Sequence, residues 1–138
     1  MQPIVYLFFK GNCRAAMTHY AEVFGTTPEI MSLSDMPPEA QAGMPGVPGD
    51  MVMHCALPLG EGWLYASDDP SGETAAMDGF NISVALPDEA ETRRVYEALS
   101  QGGEIRQPLA PAFWTPLFSA FTDRFGTRWM VMTDSPSP

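Results

Sequence analysis

Residues 4–12 read Ile4-Val5-Tyr6-Leu7-Phe8-Phe9-Lys10-Gly11-Asn12, and the chain then runs from Cys13 to a glycine at Gly25. The β-branched and aromatic run between Pro3 and Gly11 predicts a strand buried on both faces. Asn12 offers a helix N-cap. Ala16, Met17, Tyr20, Val23 and Phe24 recur at helical spacing, and Gly25 is a C-cap candidate. The same order returns 76 residues later. Phe80 to Leu86 predicts a strand, and Asp88 with Glu91 makes a capping-box arrangement. Thr92, Val95, Tyr96 and Leu99 form an apolar stripe, which Gly102-Gly103 stops. In this overlay Asn12 falls on Asp88 and Tyr20 on Tyr96, and a one-residue slip brings Glu29-Ile30 onto Glu104-Ile105.

Three strands follow each helix. In the first half they cover 28–34, Met51 to Leu59 and Trp63 to Asp68, the last two around Gly60-Glu61-Gly62. In the second half they cover 104–110, 116–122 and 127–133, the last two joined by Asp123-Arg124-Phe125-Gly126. That tetrapeptide reads as a turn, with Gly126 supplying a positive φ and Asp123 bonding turn amides. The fold class is therefore α+β, with two βαβββ modules. One domain over 1–138 is expected, made of module 1 (1–69), a polar linker (70–77) and module 2 (78–134). Residues 35–50 interleave four prolines with three glycines. They predict a long structureless loop, either a lid over a pocket or an arm reaching a second subunit.

Composition narrows the function classes. With 45% hydrophobic and 17% charged residues in 138, the chain is not a disordered one. Seven basic against seventeen acidic residues give a net charge of −10. That field repels phosphate backbones and anionic lipid, so no nucleic acid and no membrane are expected as partners. No apolar run reaches the ~18 residues of a membrane span and no secretory signal pattern opens the chain, so a cytoplasmic location is expected. Cys13 and Cys55 read as free buried thiols, too few to build a zinc site.

Several motifs in order along the chain resemble one family. Tyr6-Leu7-Phe8-Phe9-Lys10-Gly11-Asn12-Cys13 resembles the opening of PhnB-like proteins in the vicinal oxygen chelate superfamily, which holds glyoxalase I, bleomycin-resistance proteins and extradiol dioxygenases. So do Met36-Pro37 with Ala40-Gln41, Met53-His54-Cys55-Ala56, Ser67-Asp68, Phe113-Trp114, and Thr122-Asp123-Arg124-Phe125-Gly126 with Trp129-Met130. Pro111 and Ser119 depart from that pattern. The resemblance implies that the two βαβββ modules form a curled, cup-like mixed sheet, and it implies a homodimer.

In the metal-using members, four His, Gln or Glu side chains hold a divalent ion, and the resemblance maps their positions to Val5, Tyr65 or Ser67, Asn81 and Met130. An alkyl group, a thioether and weak neutral donors suit manganese, nickel, zinc or iron poorly. No cofactor is expected, and one of these metals held through another site stays open.

The candidate pocket is aromatic. Trp63, Tyr65 and Ser67 alternate onto one strand face, as do Val52, His54 and Ala56. With Tyr6, Asn81, Phe113, Trp114 and Met130, these side chains predict a surface for a small organic molecule. His54 is the one candidate catalytic residue, as a general base. Three functions follow: a metal-free binding protein, an enzyme of glyoxalase or dioxygenase type (or one working through His54), and a structural or regulatory homodimer with a vestigial pocket. Members of this family are often labelled 3-demethylubiquinone 3-methyltransferase. The chain has no Gly-rich strand-to-helix motif for S-adenosylmethionine.

Overall fold

The computed structural model of the protein describes residues 1–135, so the last three residues of the expected domain lie outside the described residues. It contains two compact units, Met1–Ala75 and a second from Ala76 onward. Each is a βαβββ unit with a four-stranded mixed sheet, and neither sheet closes on itself. Among the described residues no helix is long and apolar enough to cross a membrane.

The first unit comprises β1 (Val5–Phe9), α1 (Cys13–Phe24), β2 (Glu29–Ser32), the short helix α2 (Pro38–Ala42), β3 (Val52–Leu59) and β4 (Gly62–Asp68). The sheet order is β1-β4-β3-β2, with β1 parallel to β4 and the other pairs antiparallel. Helix α1 packs on β3 and β4. Leu7, Phe9, Cys55, Leu57, Leu64 and Ala66 are buried on that side against Cys13, Ala16, Met17 and Tyr20. Strand β1 is thus an edge strand buried on one side only, contrary to the two-sided expectation. Val5, Tyr6 and Phe8 are exposed, Phe8 to 52%.

Gly25 ends α1 in the left-handed conformation (φ 68°, ψ 37°), as its position predicted. The other end differs. Asn12 sits at the N-cap but its side chain makes no cap bond. Asp68, the last residue of β4, takes that role. Its Oδ1 accepts from the Gly11 and Cys13 N–H groups at 2.9 and 3.0 Å, and its Oδ2 accepts from Val52 N–H at 3.1 Å. A carboxylate serves three backbone donors here where an amide oxygen would serve fewer.

Residues 35–50 are not structureless. A 3-10 turn (Leu33–Asp35), closed by a reciprocal Ser32–Asp35 capping box, leads to α2. Leu33 N–H bonds Met51 O at 3.0 Å and Ser34 N–H bonds Gly49 O at 2.9 Å. Arg14 Nη2 clasps the same base through Ser32 Oγ (2.6 Å) and the Asp50 carbonyl (3.2 Å). The segment is a compact loop with tied ends.

The second unit comprises β5 (Ile82–Leu86), α3 (Glu89–Ser100), β6 (Glu104–Ala112), β7 (Thr115–Thr122) and β8 (Arg128–Thr133), in sheet order β5-β8-β7-β6. Thr92, Val95 and Leu99 of α3 are buried with Leu117, Phe121, Trp129 and Val131. Asp88 caps α3 by accepting from Glu91 N–H at 2.8 Å. The Glu91 carboxylate turns instead to Arg94, so half of the expected box is built. Asp123, 3% exposed, accepts from Phe125 N–H, Thr127 N–H and Trp129 Nε1, each at 2.9 Å, so the turn is tied to the core as well as closed.

Candidate functional site

Strand pairing sets which side chains share the face of the first sheet turned away from α1. Tyr6 on β1 lies opposite Tyr65 on β4, Tyr65 opposite Ala56 on β3, and Ala56 opposite Glu29 on β2. In the neighbouring row Phe8 lies opposite Ser67, and His54 opposite Met31. Ala56 is the short member between taller neighbours, so a depression opens over it. This cavity of about 350 Å3 is lined by Glu29, Ile30, Met31, His54, Ala56 and Tyr65.

The rings around it form a connected group. Tyr6 Oη lies 3.1 Å from His54 Nδ1. When Nδ1 is unprotonated the phenol donates to it; when Nδ1 carries a proton, in the other neutral tautomer or in imidazolium, the phenol oxygen accepts. His54 meets Tyr65 nearly edge-on, with centroids 5.0 Å apart and planes at 77°. Tyr6–Tyr65 and Trp63–Tyr65 centroids are both 6.3 Å apart, and Tyr6–Phe8 centroids are 5.3 Å apart. Edge-on and tilted contacts of this kind hold rings in place while leaving part of each face open. Among the described residues, Tyr6 is the one hydrogen-bond partner of the His54 ring.

Tyr6, His54, Trp63 and Tyr65 are therefore brought together. Ser67 shares their face by alternation but is buried under its neighbours. Val52 does not share the face. Met31 pairs with His54 and Ser32 with Val52, so Met53 is an extra residue on β3. This bulge breaks the alternation and turns Val52, 1% exposed, into the helix-side core. Glu29 and Met31 escaped the sequence reading because they reach the site by cross-strand pairing alone.

The other candidates belong to the second unit. Met130 on β8 pairs with Ser83 and Ala120, and Asn81 immediately precedes β5. Phe113 and Trp114 form the two-residue connection between β6 and β7. Phe113 is 98% exposed at the hairpin tip, while Trp114 leans on Phe118 at 5.2 Å between centroids.

The positions mapped for a metal do not fit one. Val5 carries no donor atom and Met130 offers only a soft thioether. Asn81 Oδ1 already accepts from Arg106 Nη2 at 2.6 Å. Among the described residues no group of three or more His, Cys, Asp or Glu side chains is arranged to hold an ion. The two thiols are not poised for chemistry either. Burial pushes Cys55 up to about 11 and drives Cys13 up as well, with the Asp68 charge adding to the effect.

Comparison with known proteins agrees with this architecture. The model of the glyoxalase/bleomycin resistance protein/dioxygenase superfamily matches residues 4–131. Protein YjdN of Escherichia coli (strain K12) is 29% identical over 143 residues, covering 96% of this chain and 95% of its own. The crystal structure of protein PA1353 from Pseudomonas aeruginosa superposes with a TM-score of 0.87 at 37% identity, covering 98% of each chain. A Bacillus cereus protein described as a putative 3-demethylubiquinone-9 3-methyltransferase, PhnB protein, superposes with a TM-score of 0.78 at 22% identity, covering 97% of this chain and all (100%) of that one.

Proposed function

The chain belongs to the glyoxalase/bleomycin resistance protein/dioxygenase superfamily, and on that premise we propose that it binds a small planar organic molecule, without a resident metal, on the open face of the first unit's sheet. The observation that carries this reading is the depression over Ala56, walled by Tyr65 and His54 with Tyr6 bonded behind His54. A flat ring laid there covers apolar surface worth about 25 cal/mol per Å2, and each aromatic contact adds about 0.5–1.5 kcal/mol. Three such contacts at the upper end sum to about 4.5 kcal/mol, a dissociation constant near the millimolar range for a minimal ligand.

2-Naphthol is a suitable planar probe. In an NMR titration of the whole chain, the expected result is saturable shifts centred on Tyr6, His54 and Tyr65. Tyr65→Ala should weaken the affinity several-fold. Shifts that stay absent or unsaturated to the solubility limit would refute the reading. So would sedimentation showing the face closed by a second copy of the chain that the probe does not displace.

The Tyr6–His54 bond favours one further reading, an enzyme with His54 as general base. In the tautomer whose Nδ1–H donates to the Tyr6 phenol oxygen, Nε2 carries the free lone pair and takes a proton from a bound C–H or O–H acid. That predicts exchange of an acidic C–H proton of a bound hydroxyketone with deuterated solvent, lost in His54→Ala. Exchange at the His54→Ala rate in the wild type removes it. The methyl-transfer description attached to the Bacillus cereus protein is not carried over, because no Gly-rich strand-to-helix turn is present to cradle a methyl donor.

A further inference from the structure

Arg106 lies on β6 at an irregularity, where the pairing with β7 shifts between Ile105 and Gln107. Its guanidinium reaches across the sheet, Nη1 donating to Thr122 Oγ1 at 2.5 Å and Nη2 to Asn81 Oδ1 at 2.6 Å. Both acceptors are neutral, and among the described residues no carboxylate lies within ion-pair distance of Arg106. Thr122 is paired directly with Arg128 on β8, which brings a second guanidinium into the same row. Arg128 is itself anchored at the sheet edge, Nε donating to Phe80 O at 3.0 Å and Nη1 lying 3.6 Å from the exposed Asp78 carboxylate.

Placing two guanidinium groups side by side costs energy, and the chain has only seven basic residues in all. Two of them converge here, and one is held flat on neutral oxygens with its remaining N–H groups uncommitted to any acid. We infer that Arg106 and Arg128 form a binding site for an oxyanion, a carboxylate or a phosphate, carried by a small molecule on the open face of the second unit's sheet. The fixed fork of Arg106 matches such an anion through paired N–H donors. Asn81 and Thr122 are positioning residues that hold the plane of the fork. Burial and then the Arg128 charge make the protonated guanidinium of Arg106 harder to keep, against the pull of Glu104 and Asp78. A bound anion relieves both effects. The inference is independent of the ligand proposed for the first unit.

The test is a titration of the intact protein with sodium benzoate and, separately, inorganic phosphate, following the arginine Nε–H resonances and the Asn81 side-chain amide. Sodium chloride at matched ionic strength is the reference. The expected result is saturable shifts at Arg106, Arg128 and Asn81 with at least one of the two anions. Arg106→Gln should lower that affinity at least about tenfold, while Arg93→Gln on the exposed helix face leaves it unchanged. The preferred anion tells carboxylate from phosphate. Should Arg106→Gln fail to fold, Arg106→Lys keeps charge and length but loses the fork, and should weaken binding while thermal stability stays near wild type. Shifts that rise linearly and match those of chloride overturn the inference. So does saturable binding that Arg106→Gln or Arg106→Lys leaves intact, or that Arg93→Gln weakens equally.

Discussion

Replacing Asp68 by Asn tests how the first unit is held together. The carboxylate is 5% exposed and accepts three backbone N–H groups, from Gly11, Cys13 and Val52. It thereby ties the loop after β1, the first turn of α1 and the start of β3 to the end of β4. An asparagine keeps one acceptor oxygen and turns an NH2 group toward the remaining donors. At least one buried N–H is then unsatisfied, and the charge assistance to the others is lost. A hydrogen bond to a charged group contributes about 1.5–3 kcal/mol and an orphaned buried donor costs about 1–3 kcal/mol, so the substitution should cost about 3–4 kcal/mol. That is a large fraction of the ~5–15 kcal/mol stability of a typical domain. Urea unfolding followed by circular dichroism reads the total. Amide hydrogen exchange locates it: protection at Cys13 and Val52 should fall while α3 in the second unit keeps its own. A loss below about 0.5 kcal/mol, the range of ordinary surface substitutions, would refute this assignment. So would protection that falls equally in α3.

Three further outcomes are expected. Gly103→Ala should destabilise by about 3 kcal/mol or more on thermal or urea unfolding, since a Cβ there would lie 2.1 Å from Thr122 O and 2.9 Å from Asp123 Cα; wild-type stability in the variant would mean that β6 and β7 can separate freely at this point. Burial raises Cys55 from an ordinary 9.0 to about 11 and raises Cys13 too, so above pH 9 the unfolded chain loses thiol protons that the folded chain keeps. Their contribution is complete below pH 9 and lost as pH rises, at about 1.4 kcal/mol per pH unit for each thiol; urea midpoints from pH 8 to 11 should fall more steeply in the wild type than in Cys13→Ala/Cys55→Ala, and equal slopes would contradict the burial. Phe113→Ser, at the exposed hairpin tip, should change stability by less than about 0.5 kcal/mol, and a larger loss would place Phe113 in a contact that its 98% exposure denies.

Element order was legible because each unit repeats a strong local grammar: a β-branched run, a capped amphipathic helix, then strands separated by Gly-containing turns. The departures share one cause, interactions that join residues distant in sequence. Asn12 has the right chemistry for a cap, yet the bonds to Gly11 and Cys13 come from Asp68, more than fifty residues away. Glu91 stands three residues after Asp88, but Arg94 on the next turn takes its carboxylate. The segment 35–50 has a loop's composition. Its order comes from Arg14, which ties Ser32 to Asp50, and from Gln41 Nε2, which donates to Met36 O at 2.7 Å. Period-2 counting also fails at a bulge. Met53 flips Val52 away from His54, and the shift between Ile105 and Gln107 hides Arg106 from any pattern of faces.

The misreading of β1 bears directly on the site. Val5, Tyr6, Leu7, Phe8 and Phe9 form a continuous apolar run, and such a run ordinarily means burial on both sides. Only Leu7 and Phe9 are buried. Tyr6 and Phe8 are as apolar as core residues yet face outward beside His54, Trp63 and Tyr65. An edge strand that spends large aromatic side chains on its exposed face gains little folding energy from them, and it carries an aggregation risk. That cost is explained if the face is covered when the protein works. The depression over Ala56, with a hydrogen-bonded imidazole and a carboxylate at its margin, gives the cover a size and a chemistry that a flat core-like surface lacks. On the proposed reading, the excess of apolar signal over what the helix buries marks the binding surface in the sequence. A chain of this fold whose β1 alternated apolar with polar residues should keep its stability and lose the ligand.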